Sequence, residues 1–111
     1  MNLKLEDNGQ VVLLIVKEER LDAHNSEHLK QELGRLFGEG KARVVVDLKE
    51  VRFIDSSGLG ALVSGFKNAS ARQAALKLSS LQSQVKSMFE LTRLHRVFDI
   101  YTTVDEAIEA F

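Results

Sequence analysis

The chain has 111 residues, 44% of them hydrophobic and 28% charged, with a formal net charge of −1. That length suits one domain over residues 1–111 with a modest core, and interspersed charges of both signs argue against a nucleic-acid surface or a polybasic membrane anchor. There is no cysteine, which removes disulfides, thiolate metal sites and a cysteine nucleophile and fits a reducing cytoplasm. The longest apolar run, Val11 to Val16, is far too short to span a bilayer, and no basic-then-apolar signal opens the chain, so it is expected to stay inside the cell.

The segment NLKLEDNGQ reads as a short strand followed by a turn at Asn8-Gly9. VVLLIV is continuously apolar and β-branched, as in a strand covered on both faces. DAHNSEHLKQELGRLFGEG (residues 22–40) reads as a helix. Its Leu29, Leu33, Leu36 and Phe37 fall at i, i+4, i+7 and i+8 and form one apolar stripe. Asp22, Asn25 or Ser26 can cap its start, and Gly38 or Gly40 its end. ARVVVDL is a second apolar strand. After Ile54 the period changes, and Leu59, Leu62, Val63 and Phe66 mark one face of a helix running to about Arg72.

ALKLSS alternates like a short strand. Ser79 with Gln82 reads as a capping box for a helix that buries Leu81, Val85, Met88 and Phe89. VFDIY is a last strand. Thr103 with Glu106 is a second capping box, opening a helix that buries Val104, Ala107, Ile108 and Phe111. Alternating strands and helices predict an α/β fold: a mixed, mostly parallel sheet of four or five strands with about four helices. The first two strands, joined by a tight turn, form an antiparallel pair at one end.

The most informative segment is DSSGLG, Asp55 to Gly60, where a strand-like run gives way to a helix. The first N–H groups of a helix lack intrahelical partners, and Asp or Ser side chains can accept from them. A cap needs only one such side chain, yet three polar residues stand in a row. Strand-to-helix loops are also where α/β proteins place their sites. A serine there is a favourable phosphoacceptor, because the phosphate meets free N–H groups and the positive end of the helix dipole. Gly58 and Gly60 leave the backbone open to a partner or a kinase.

Enzyme signatures fit less well. Neither Ser56 nor Ser57 has a glycine two places before it, as a nucleophile elbow requires. A dinucleotide fingerprint needs glycine at position 63, which is Val63, and no Gly-Lys-Ser/Thr is present. No catalytic residue is therefore assigned. His24 and His28 are four apart, but Asn25 stands where a zinc-protease pair needs Glu; they read as solvated surface groups, and no metal or other cofactor is assigned. His95 reads as a turn residue. Asp22 reads as a cap residue that also falls at a strand-to-helix loop, and a parallel sheet there puts Asp22 and Asp55 on the same edge.

VVVDLKEVRFIDSSGLGALVSGFKNA, with the tail VKSMFELTRLHRVFDIYTTVDEAI, resembles the sulphate-transporter and anti-sigma-factor-antagonist (STAS) domain, and more narrowly its small stand-alone bacterial anti-sigma factor antagonists. The resemblance runs from about Val11 to Ala110. It implies partner switching. The serine after the motif aspartate, here Ser56 after Asp55, is phosphorylated by a serine kinase that is also an anti-sigma factor. The unmodified protein binds that kinase and frees the sigma factor, and a PP2C-type phosphatase resets the phosphorylated form. The resemblance makes Asp22, Asp55, Ser57, Gly58, Leu59 and Gly60 the partner-binding set. Two stretches depart from the family pattern: EERLDAHN, where Glu19 and Arg20 replace small residues in a loop that often touches the kinase, and QAA, which replaces a glycine pair. The same module without phosphorylation, as a subunit of a transporter or another signalling complex, is the alternative reading; a serine hydrolase or nucleotide-processing enzyme is a third.

Overall fold

The computed structural model describes residues 1–111. Seven strands and four helices follow one another as β1 (Leu3–Asp7), β2 (Val12–Val16), β3 (Arg20–Leu21), α1 (Ser26–Gly38), β4 (Arg43–Asp47), β5 (Phe53–Ile54), α2 (Ser56–Ala71), β6 (Ala75–Ser79), α3 (Ser83–Leu91), β7 (Asp99–Tyr101) and α4 (Val104–Glu109), with a 3-10 turn at Leu94–Arg96. The main sheet has the order β1-β2-β4-β6-β7. Only β1–β2 is antiparallel; the other three pairings are parallel. The α/β class and the mixed, mostly parallel sheet expected from the sequence are thus present. β3 and β5 form a separate two-stranded parallel sheet.

Period-two alternation sorts the side chains. Val12, Leu14 and Val16 of β2, Val44 and Val46 of β4, and Leu76 and Leu78 of β6 enter one large core. There they meet the α1 stripe of Leu29, Leu33, Leu36 and Phe37 and the inner faces of α2 and α3. Each aliphatic side chain removed from water here contributes about 1.5–3 kcal/mol. Phe98 lies edge-on to both Phe66 and Phe89, at 5.3 and 5.5 Å between centroids. Gly65 lets α1 and α2 approach: a Cβ there would stand 2.6 Å from Leu33 Cδ1. The opposite sheet face is covered more thinly, by α4, where Val11, Val45 and Ala107 form a small cluster flanked by Leu13, Tyr101, Ile108 and Phe111.

Several sequence expectations need correction. α1 starts at Ser26, not Asp22, because residues 22–25 form a turn instead of helix. It ends at Gly38, with Glu39 at the C-cap. Ser79 caps nothing: it is the last residue of β6, fully buried, and its hydroxyl has no hydrogen-bond partner. Gln82 occupies the N-cap of α3 without a side-chain cap bond. Leu81 and Met88 are only partly buried against the core, as are Val104, Ile108 and Phe111 along α4. The last strand is shorter than VFDIY, and Val97 is exposed. Thr103 does cap α4, accepting from the Glu106 N–H at 3.2 Å.

Candidate functional site

The site is built on the β3–β5 pair, in which Arg20 faces Phe53 and Leu21 faces Ile54. The Glu19 carbonyl accepts from the Arg52 and Phe53 N–H groups at 2.8 and 3.1 Å, and the Leu21 carbonyl accepts from the Asp55 N–H at 3.3 Å. The other edge of β5 is closed by a side chain. Gln84 of α3 accepts the Ile54 N–H through Oε1 at 3.0 Å. Nothing local in the sequence announces this contact, which crosses 30 residues. Asp22 and Asp55 each follow the last residue of a paired parallel strand, so the two acids lie on the same edge, as expected.

At Asp55 the chain turns directly into α2. Asp55 is the extended N-cap residue, and its Oδ1 accepts from the Gly58 N–H at 3.1 Å. Its carbonyl accepts from the Leu59 N–H at 3.0 Å. The N–H groups of Ser56 and Ser57 find no acceptor within the chain and point from the positive end of the helix. Ser56 is the first helical residue and is exposed; Ser57 is half-buried.

Gly58 and Leu59 require a correction, because both face inward. A Cβ on Gly58 would lie 2.4 Å from the Leu21 carbonyl oxygen and 2.7 Å from Ile54 Cγ1. Gly58 therefore seats the helix against β3 and leaves no backbone open to a partner. Leu59 is 5% exposed and belongs to the core. Gly60 is exposed, with open space where a Cβ would be. Ser56 and Gly60 are exposed, Asp55 and Ser57 are half-buried, and the Asp22 side chain is 16% exposed.

Asp22 is not a helix cap but the pivot of a turn. Its Oδ1 accepts from the His24 N–H at 3.0 Å, and its own N–H donates to Asn25 Oδ1 at 3.0 Å. Its carbonyl accepts from the Ser26 N–H at 2.8 Å, while Asn25 Nδ2 donates to the Arg20 carbonyl at 2.8 Å. His24 and His28 are exposed, and no group of three His, Cys, Asp or Glu side chains converges as metal ligands would. His95 sits in the 3-10 turn, its Nδ1 3.4 Å from the Phe89 carbonyl oxygen. No helix is long and apolar enough to cross a membrane.

The chain that carries this junction, with an exposed serine at the first helical position beside an aspartate cap, matches the model of a known family. The model of the STAS domain covers residues 2–107. The anti-sigma-B factor antagonist of Listeria monocytogenes is 30% identical over 104 residues, which are 90% of this chain and 90% of that protein. A STAS-domain anti-sigma-factor antagonist protein of Planctomyces limnophilus superimposes with a TM-score of 0.87 at 24% identity, over 97% of this chain and 96% of its own. The Bacillus cell fate determinant SpoIIAA in its phosphorylated form shares the fold at a TM-score of 0.76 and 20% identity, over 98% of each chain. The chain belongs to the STAS-domain family. Within it, the chain is a member of the anti-sigma factor antagonists.

Proposed function

We propose that this protein acts inside the cell as a phosphorylation-switched antagonist of an anti-sigma factor that is also a serine kinase. Unmodified, it docks on that kinase through the surface around Asp22, Asp55, Ser56, Ser57 and Gly60, and a sigma factor is released. The kinase transfers the γ-phosphoryl group of ATP to Ser56 Oγ; the hydroxyl proton is lost and ADP leaves. A PP2C-type phosphatase hydrolyses the phosphoserine and returns the protein to its binding form.

The observation that carries this reading is the exposure of Ser56 at the start of α2, with two unclaimed N–H groups ahead of it. Phosphate adds about −1.5 to −2 charges at neutral pH. The added charge stands beside Asp55 and Asp22, and against an acidic patch on a partner such juxtaposition costs several kcal/mol. The relatives named for antagonism of anti-sigma factors support the partner class. That SpoIIAA, which shares the fold, was solved in a phosphorylated form supports the reading.

The test is incubation with the cognate kinase and ATP, followed by mapping of the modified residue. Modification at Ser56 is expected; modification only elsewhere overturns the reading. Ser56→Asp weakens kinase binding at least tenfold, about 1.4 kcal/mol, and Ser56→Ala retains it.

A further inference from the structure

The β3–β5 pair carries a cation to which the switch above assigns no role. The Arg20 guanidinium carbon sits 4.2 Å from the centroid of the Phe53 ring, and its Nε lies 3.5 Å from Asp22 Oδ2. The side chain is 62% exposed. Stacking on an aromatic face orients the guanidinium plane without consuming its donors. Both terminal amino groups are free of acceptors within the chain. A pre-oriented fork with unused N–H groups, one strand away from a phosphoacceptor, is built to hold a tetrahedral anion.

We propose that Arg20 is the internal counter-ion of phosphorylated Ser56: on modification its guanidinium leaves the Asp22 carboxylate and closes on the phosphate. This rests on Ser56 as the phosphoacceptor. Arg20 is in register with Phe53, three residues before Ser56. With a rise of about 3.3 Å per residue and about 4.8 Å between strands, the two Cα atoms lie roughly 11 Å apart. An arginine and a phosphoserine side chain cover that span between them. The Asp55 N–H bonded to the Leu21 carbonyl ties the two loops together across it.

Charge decides the direction of the exchange. Asp22 offers one negative charge and two oxygens; the phosphate offers up to two charges and three oxygens, and guanidinium meets it bidentately. The other charged groups around the junction are Glu19, His24, Glu27, His28, Arg52 and Asp55, and α3 presents the neutral Gln84. Arg52 is engaged with Glu19, at 3.9 Å. The exchange has a consequence beyond Ser56. It strips Asp22 of its cation, so a modification on α2 is also displayed on the neighbouring loop, and both parts of the docking surface become more acidic together.

The experiment uses the full chain carrying phosphoserine at position 56, installed during translation so that no kinase is needed. The phosphate is titrated by 31P NMR. The second phosphate ionisation, ordinarily near pH 6, is expected lower in the wild type than in Arg20→Gln by about half a unit or more, and unchanged by Arg52→Gln. Identical titrations of wild type and Arg20→Gln, or a shift lost in Arg52→Gln instead, overturn the proposal. Should Arg20→Gln fail to fold, the wild-type chain decides: the Arg20 Nε–Hε resonance is expected to move between the unmodified and phosphorylated forms, and a stationary resonance overturns it. Failure of the kinase to modify Ser56 sinks the switch but not this measurement. A normal kinase reaction with no Arg20 effect sinks the counter-ion alone.

Discussion

The two strand-to-helix junctions of the β3–β5 pair begin alike and end differently. Each starts with an aspartate after a two-residue parallel strand. Asp55 passes at once into α2, its side chain capping the helix and Gly58 pressed against the Leu21 carbonyl. Asp22 passes into a turn, and α1 begins four residues later with Asn25 as a cap residue that makes no side-chain bond to the helix. One junction is fixed by backbone packing. The other is held by side chain–backbone hydrogen bonds, each of net worth about 1 kcal/mol and exchangeable with water. Under the proposed switch, the phosphate would be added at the packed junction, next to one held by hydrogen bonds alone.

The largest expected effect tests the rigid half. Gly58→Ala puts a Cβ into a backbone carbonyl that cannot step aside. Overpacking of this kind costs about 3 kcal/mol, a fall in Tm of more than about 10 °C for a domain of this size. Urea unfolding measures it, and a loss under about 1 kcal/mol would remove the packing distinction between the junctions.

A smaller effect compares the acids directly. Asp55→Ala removes a cap and is expected to cost about 1 kcal/mol, whereas Asp22→Ala costs about 0.5 kcal/mol, because the one side-chain bond it removes serves a turn and not a helix end. Equal losses in denaturant melts would erase the contrast.

The smallest effect lies outside both junctions and serves as the control. The Glu32 carboxyl is held below its usual value first by its hydrogen bond from Arg35, and the Asp7 carboxyl by its hydrogen bond from Lys41 at 2.9 Å. Carboxylates lowered in the folded state add stability above their usual values and lose it as pH falls through the folded ones. Below about pH 4.5 the stability curve is therefore expected to be shallower in Arg35→Gln than in the wild type. Because these pairs are exposed, the change is slight. An unchanged acid limb in pH-dependent melts would show that the Glu32–Arg35 pair adds nothing.

The long elements were readable because their patterns are local. Four apolar residues at helical spacing placed the inner face of α1, and the shift of period after Ile54 placed α2 and its aspartate cap. The pairs β3 and β5 were not readable as a second sheet, since two residues carry no period. Ser79 looked like a cap because a serine three residues before a glutamine fits one; the register of β6 with β4 instead draws it into the sheet, where Asp47 faces it. Gly58 and Leu59 belong to a legible motif, yet their inward orientation depends on how α2 meets Leu21.

By itself the sequence determined the α/β alternation, the apolar faces and the chemistry available at DSSGLG, because period, capping and residue type act over a few residues. Only the tertiary structure decided which of those residues face water, that Gln84 closes the edge of β5, and that Arg20 rests on Phe53. Each of these joins segments distant in sequence, and such contacts are set by the packing of the whole sheet rather than by any window along the chain.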